Sequence, residues 1–410
     1  MNILYINQPL CNRGDESAHK AFLRTLCKAL PDVNITALFI DTYSESSIKQ
    51  FNIHDSRVFY KSYHTSSLYK LVFEKCWMWG AHFLWLFNIS SLRILYYYKK
   101  ADWVISAPGG ISMGGFQNWD HLYQLELARF MRKKIAYYGR SFGPFPVETS
   151  SQIKYKKFSY RLLRYFSFLA IRDKETEKLA DEIGLKYEST VDCAFLESPT
   201  VELPYEVKML LGDKPYMVFV PNLLIWHYAF KGKVEKDTLL RYYSRMLDIM
   251  FERHPECNVV MLPQTFDYYT YEGDDVNLFR DIAELKNDKR IIVMPDCYSS
   301  DIQQTIIRDC KLLVGGRYHS IVFSINQAVP FVALSYEHKI KGLLEALDKT
   351  DCMIDVTTAF NSLETIEKTL SDFKELIRMA KADINAQKKA KDVANECFAK
   401  FINTITDGKK

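Results

Sequence analysis

The sequence predicts an α/β protein of two Rossmann-like domains with parallel sheets, closed by a helical C-terminal segment. Short apolar runs rich in β-branched and aromatic residues alternate with helical or loop sequence, the pattern of parallel strands covered on both faces. The runs fall into two series, and a proline-marked stretch (Pro199, Pro204, Pro215) separates them. The first series, NILYIN, NITALFI, DWVISAP, KKIAYYG, FLAIRD and STVDCAF, builds a domain over residues 1–200. The second, YMVFVP, NVVMLP, RIIVMP, KLLVGG, PFVALSY and MIDV, builds a domain over 213–356. Residues 357–410 place Leu363, Ile366, Leu370, Phe373, Leu376 and Ile377 at helical spacing among charges, which predicts amphipathic helix in two halves packing back on the domains.

Composition excludes several classes of function. Lys and Arg number 54 against 50 Asp and Glu, a balance of +4 that gives no nucleic-acid footprint, so any anion must be met by local groups. The nine cysteines are scattered, odd in number and without a CxxC pair, which argues for reduced thiols rather than a disulfide framework or a zinc site. The opening MNILYINQPL lacks the basic n-region of a signal peptide, and a cytoplasmic protein is expected. Residues 76–98 are the exception to this plain surface. CWMWGAHFLWLFNISSL carries no Asp, Glu, Lys or Arg and runs into RILYYYKK. It is short for a spanning helix, and it fits either peripheral contact with the inner face of a membrane or a buried helix, including a face of a homo-oligomer.

In an open parallel sheet the ligand lies beyond the carboxyl ends of the strands, so the residues directly after each run carry the functional reading. After β-like NILYIN stand Gly14, Asp15 and Glu16, which also read as the capped start of a helix near Glu16. After DWVIS stands APGGISMGG, whose Gly109 and Gly110 offer unhindered backbone amides; it matches neither G-x-G-x-x-G nor a Walker sequence. Arg172 follows FLAI as either an anion ligand or a salt-bridged structural arginine. The sharpest signal is GGRYHS after KLLV. Gly315 and Gly316 turn the chain off a buried strand, a helix starting near Tyr318 or His319 aims its positive end at the cleft, and Arg317 adds a planar fork for carboxylate or phosphate. His319 is a group that exchanges a proton near neutral pH. Lys339, in the SYEHK that ends the next strand, is a second positive point or a solvated lysine.

Taken in order along residues 1 to about 350, these motifs resemble the polysaccharide pyruvyltransferases. The resemblance rests on Gly316-Arg317-Tyr318-His319, on Ala328-Val329-Pro330 and on Ser335-Tyr336-Glu337-His338-Lys339. It rests also on Gly14-Asp15-Glu16, Gly109-Gly110, Ser141 with Gly143-Pro144, Arg172-Asp173 and the run Val191 to Phe195. The chain departs from the family where Arg140 replaces a small or polar residue, where Ile111 stands in place of a third glycine, and in the aromatic stretch at 70–98.

The resemblance implies a GT-B-like pair of domains, the first on the acceptor side and the second on the donor side. It implies transfer of a pyruvyl group from phosphoenolpyruvate to a sugar of a polysaccharide or its lipid-linked precursor, as a cyclic ketal, with no cofactor and no metal. In that reaction Arg317 and Arg172, with Gly316, Tyr318, Lys339, Gly109 and Gly110, hold the donor. His319 protonates its methylene carbon, and Asp15 or Glu16, from the opposite domain, takes the hydroxyl proton. Two alternatives share the architecture: a GT-B glycosyltransferase using a nucleotide sugar, with Glu337 or Glu345 on the ribose, and a non-catalytic glycan- or anion-binding protein.

Overall fold

A computed structural model describes residues 1–40, 48–63, 89–115, 117–227, 230–266, 274–295, 297–336 and 338–407. The chain forms two compact units: residues 1–10, 18–196 and 393–410, and residues 11–17 with 197–392. These differ from the expected 1–200, 213–356 and 357–410 in two places. Residues 11–17 join the second unit because their partners are there: Arg13 N–H donates to Gln264 O at 2.9 Å and the Glu16 carboxylate accepts from Ser300 N at 3.0 Å. The C-terminal segment is divided, its final helix contributing to both units.

In the first unit the strands are β1 (Asn2–Ile6), β2 (Asn34–Ile40), β3 (Val58–Tyr63), β4 (Trp103–Ser106), β5 (Gly109–Met113), β6 (Lys134–Phe142), β7 (Phe168–Ile171) and β8 (Glu188–Ser189). Its helices are α1 (Arg13–Ala29, from Ala18 onward), α2 (Ile89–Lys100), α3 (Trp119–Phe130), α4 (Ser150–Leu163) and α5 (Lys174–Glu182). In the second unit the strands are β9 (Tyr216–Val220), β10 (Asn258–Met261), β11 (Ile291–Val293), β12 (Leu313–Gly315), β13 (Phe331–Ser335) and β14 (Met353–Asp355). Helices α6 (Tyr205–Leu211), α7 (Lys236–Arg253), α8 (Asp275–Lys286), α9 (Ser300–Arg308), α10 (Tyr318–Asn326), α11 (His338–Ala346), α12 (Leu363–Met379) and α13 (Ile384–Asp407, to Asp392) complete it.

Both sheets are parallel. The first runs β3-β2-β1-β4-β6-β7-β8 with β5 on β6; the second runs β11-β10-β9-β12-β13-β14, the doubly wound order with its switch point between β9 and β12. Alternating side chains of one strand feed opposite faces. Ile3 and Tyr5 pack with α1 and the end of α13 through Phe22, Phe398 and Phe401, whereas Leu4 and Ile6 pack under α2 to α4 with Tyr98, Leu125 and Tyr155. The second sheet follows the same logic, with Met217, Val218, Phe219 and Val220 all fully buried in β9.

Eleven of the twelve expected runs contain a strand, and the exceptions have simple physical causes. STVDCAF begins at the end of β8 and closes in a 3₁₀ turn over Cys193–Leu196, held by Asp192 Oδ1 accepting from Ala194 N at 2.9 Å. β3 is an edge strand with mixed exposure, so its sequence VFYKSY lacks a continuous apolar run. The glycine stretch expected as a loop is strand β5, whose Gly109 pairs with Arg140. Of residues 76–98, positions 76–88 lie outside the described residues and 89–98 form part of α2. Among the described residues no helix is long and apolar enough to cross a membrane.

Candidate active site

At the carboxyl edge of the second sheet, β12 passes into α10 through Gly315, Gly316 and Arg317. Gly315 is required because α10 packs against it: a Cβ there would stand 2.2 Å from Ser320 Oγ. Gly316 meets only ordinary contacts at Asn222, so the expected need for a glycine pair at the turn reduces to Gly315 alone. Arg317 caps α10 with backbone φ −92° and ψ 133°, which puts the helix start at the strand end.

Its guanidinium is engaged. Nε donates to Asp275 Oδ1 at 3.1 Å and a terminal nitrogen reaches the same oxygen, while Asp275 Oδ2 accepts from the backbone amides of Gln264 (3.0 Å) and Thr265 (2.9 Å). Burial by itself would lower the Arg317 pKa; the adjacent Asp275 carboxylate outweighs it and the group titrates above its ordinary value. Asp275 thus fixes one edge of the fork, and Nη1 makes no hydrogen bond to a described residue.

His319, in the first turn of α10, is buried with its ring seated on Gly14: a Cβ at Gly14 would lie 1.8 Å from His319 Nδ1. The two motifs read separately in the sequence therefore meet within one unit, and the proton acceptors expected from the opposite domain come from the same one. Asn12 builds this corner, its Oδ1 accepting from Gly14 N (2.7 Å) and Asp15 N (3.3 Å) and starting α1 at Arg13, three residues before the expected Glu16. Asp15 is half-buried; Glu16 is fully buried. Both Glu16 oxygens are occupied, Oε2 by Arg13 at 2.6 Å and Oε1 by Ser300 N and Oγ at 3.0 and 3.1 Å. Arg13 also stacks on Phe266 at 4.3 Å.

Beside Gly316 lies a shallow recess walled by Tyr243, Leu334, Tyr336 and Val356. Asn222, at the end of β9, lines it and is 1% exposed, and neither atom of its carboxamide has a hydrogen-bond partner among the described residues. Tyr243 Oη donates to Asn222 O at 2.6 Å and holds that corner in place. Tyr318 and Lys339 are half-buried in the same unit.

Three expected site residues stand in the first unit. Arg172 follows the salt-bridged alternative: its guanidinium is ion-paired with Asp192, the two side chains being 3% and 0% exposed. Gly109 and Gly110 lie in β5, where Gly110 has open space at its Cβ position. What occupies the switch point there is Arg140. It is fully buried, pairs with no carboxylate among the described residues, and donates to Ala107 O, Ser112 Oγ (2.6 Å), Asn7 O (3.0 Å) and His121 Nδ1 (3.2 Å). Burial, then the Arg140 charge, holds the His121 pKa well below its ordinary value, so the imidazole stays neutral.

Among the described residues one group, His254, Glu256 and Cys257, has ligand atoms close enough for a metal ion. Lys311 already holds Glu256 at 2.8 Å and burial pushes the Cys257 thiol up to about 11, a chemistry that suits an ion pair better than a metal. Asp275, Asn12 and Asn222 escaped the sequence reading. In GDDVNL the first carboxylate, Asp274, caps α8 and the second turns inward, a choice that two adjacent aspartates do not reveal.

A sequence model described as "Polysaccharide pyruvyl transferase" matches residues 12–338. The amylovoran biosynthesis protein AmsJ of Erwinia amylovora is 23% identical over 402 residues, 92% of this chain and 94% of that protein. Among solved structures, the UDP-GlcNAc 2-epimerase of Methanocaldococcus jannaschii superposes with a TM-score of 0.58 at 10% identity, covering 97% of this chain and 100% of its own. That of Neisseria meningitidis, bound to UDP-GlcNAc, does so with a TM-score of 0.57 at 10% identity, covering 98% and 100%. At that identity the structural likeness establishes the GT-B-like fold alone.

Proposed function

The chain belongs to the polysaccharide pyruvyl transferase family, and on that premise we propose that it moves the pyruvyl group of phosphoenolpyruvate onto a sugar of an exopolysaccharide or its lipid-linked precursor. The product is a cyclic ketal and the by-product is phosphate. The observation that carries this reading is the His319 ring packed on Gly14, directly before Asp15. In this reading the proton donor and, one residue along from that contact, the proton acceptor belong to the same unit as the start of α10.

The donor carries a carboxylate and a phosphate and no hydrogen-bond donor, so it needs fixed positive groups in a water-poor place. Arg317, oriented by Asp275, and the start of α10 supply them, with Lys339 as a second point charge. His319 gives a proton to the methylene carbon, which becomes the methyl group, and the adjacent carbon becomes electrophilic. One sugar hydroxyl adds there as Asp15 takes its proton; phosphate departs with the second hydroxyl's proton as that oxygen closes the ring. Glu16, Arg13 and Gly14 hold the two groups in place and touch no reacting atom. Arg172, which stands in the first unit with its side chain and that of its partner Asp192 both buried, is given no part in donor binding here.

Incubation with phosphoenolpyruvate and candidate acceptors tests the reading by phosphate release and a mass gain of one pyruvyl ketal. His319→Gln is expected to lower kcat by ~10²–10⁴ with little change in donor affinity, the range for loss of a general acid. Release of a nucleoside diphosphate from a nucleotide sugar would instead identify a glycosyltransferase, for which Glu345 is exposed and Glu337 lies outside the described residues. Donor binding without turnover, unaltered in His319→Gln, would identify a binding protein.

A further inference from the structure

We propose that the outer face of α2, α3 and α4 docks the protein on an anionic lipid bilayer. The chain as a whole has only a small cationic excess, 54 against 50, yet this layer concentrates it. Helix α4, SSQIKYKKFSYRLL, contains Lys154, Lys156, Lys157 and Arg161 and no acid, and Arg164 follows as its C-cap. Helix α2 contains Arg93, Lys99 and Lys100 and again no acid. Among the described residues Arg161 is the one of these with an ion pair, to Glu126 at 2.6 Å.

The helices form one surface. Tyr98 Oη of α2 donates to Gln124 O of α3 at 3.1 Å, and Trp119 of α3 meets Tyr155 of α4 edge-on at 4.9 Å.

Charge alone would describe a solvated face, and the second observation separates it from one. Large apolar side chains stand half in water among the cations: Ile153 at 54%, Val147 at 53%, Phe130 at 51% and Tyr96 at 51%. Aromatic rings sit under the basic groups, Lys156 over Tyr160 at 5.3 Å and Lys100 over Tyr96 at 4.4 Å. A nucleic acid or a soluble polyanion would use the cations and stack on the rings, and would have no use for exposed isoleucine and valine. A bilayer interface takes both, headgroups on the lysines and acyl boundary on the aliphatic groups. Arg93 and Tyr96 of α2 belong to the 76–98 stretch of the sequence, the proposal uses no residue of 76–88, and it does not depend on the pyruvyl-transfer reading.

Co-sedimentation of the full chain with phosphatidylglycerol-containing vesicles, against phosphatidylcholine alone, tests it without any donor present. Binding is expected to the anionic vesicles at low salt and to weaken as salt rises. Charge reversal at Lys154, Lys156 and Lys157, all outside the site, is expected to weaken it by about fivefold or more per lysine, with melting temperature unchanged. Ile153→Ser is expected to remove binding that survives salt. No binding to anionic vesicles, or undiminished binding by the triple variant, would overturn the assignment. So would equal affinity for a soluble polyanion together with no effect of Ile153→Ser.

Discussion

The His319 ring leaves no room for a side chain at Gly14, and this contact ties two motifs three hundred residues apart in sequence. Gly14→Ala puts a methyl group 1.8 Å from Nδ1. Alanine is the better helix former by about 1 kcal/mol, so α1 itself should not suffer; the displaced group is the imidazole. The expected result is loss of kcat by about 10²-fold, the scale of a 1 Å misplacement, with the far-ultraviolet circular dichroism retained. Asp275→Asn acts on the other cation. It removes the charge that orients Arg317 and should raise the donor KM about tenfold or more with a smaller change in kcat, which steady-state kinetics would resolve. At this scale the sequence was legible in part. That Arg317 and His319 stand where a buried strand passes into a helix was visible from the glycine pair ahead of them, whereas the different surroundings of Asp15 and Glu16 were not. Adjacent acids in a first helical turn look alike, and only the packing of Ser300 and Arg13 around Glu16 separates them.

Among the elements, α9 depends on a side chain from far outside it. Glu16 accepts from both the amide and the hydroxyl of Ser300 at the α9 start, where the helix dipole favours a negative charge, and it neutralises a buried arginine as well. Glu16→Leu should therefore cost about 3–5 kcal/mol, the penalty for leaving one partner of a buried pair alone, measured as a fall in the denaturant midpoint of the second unit. Arg140 plays the matching part in the first unit, clamping the ends of β1 and β4 to β5 and α3. The strands themselves were readable because continuous apolar runs leave few other folds open. β3 and β5 were not, one being an exposed edge and the other a glycine strand whose pairing with β6 is decided only by the sheet.

For the molecule as a whole, two buried histidines predict an acid limit. Burial, with Lys20 adding to it, depresses the His19 pKa from 6.5 to about 3, and burial with Arg140 depresses that of His121. Both are neutral when folded and regain an ordinary affinity for protons when unfolded. Above about pH 6.5 neither state binds a proton and they contribute no pH dependence; below it the unfolded state takes up protons the fold refuses, and stability falls. The loss should approach about 1.4 kcal/mol per pH unit for each histidine, read as melting temperature against pH, and His19→Gln should make the curve shallower. The domain boundaries show what one-dimensional reading misses. A proline-marked break is visible in sequence, but nothing marks residues 11–17 as belonging to the later unit, or Phe398 and Phe401 as belonging to the earlier one. Those two phenylalanines have a consequence for the birth of the protein. They complete the aromatic core around Phe22, Tyr138 and Phe168, and they leave the ribosome only after the whole second unit. At about 5–20 residues per second of translation, the amino-terminal sheet must wait tens of seconds with that core open while the rest of the chain is made. A stop codon placed just before Val393 would thus injure the half of the protein synthesised first.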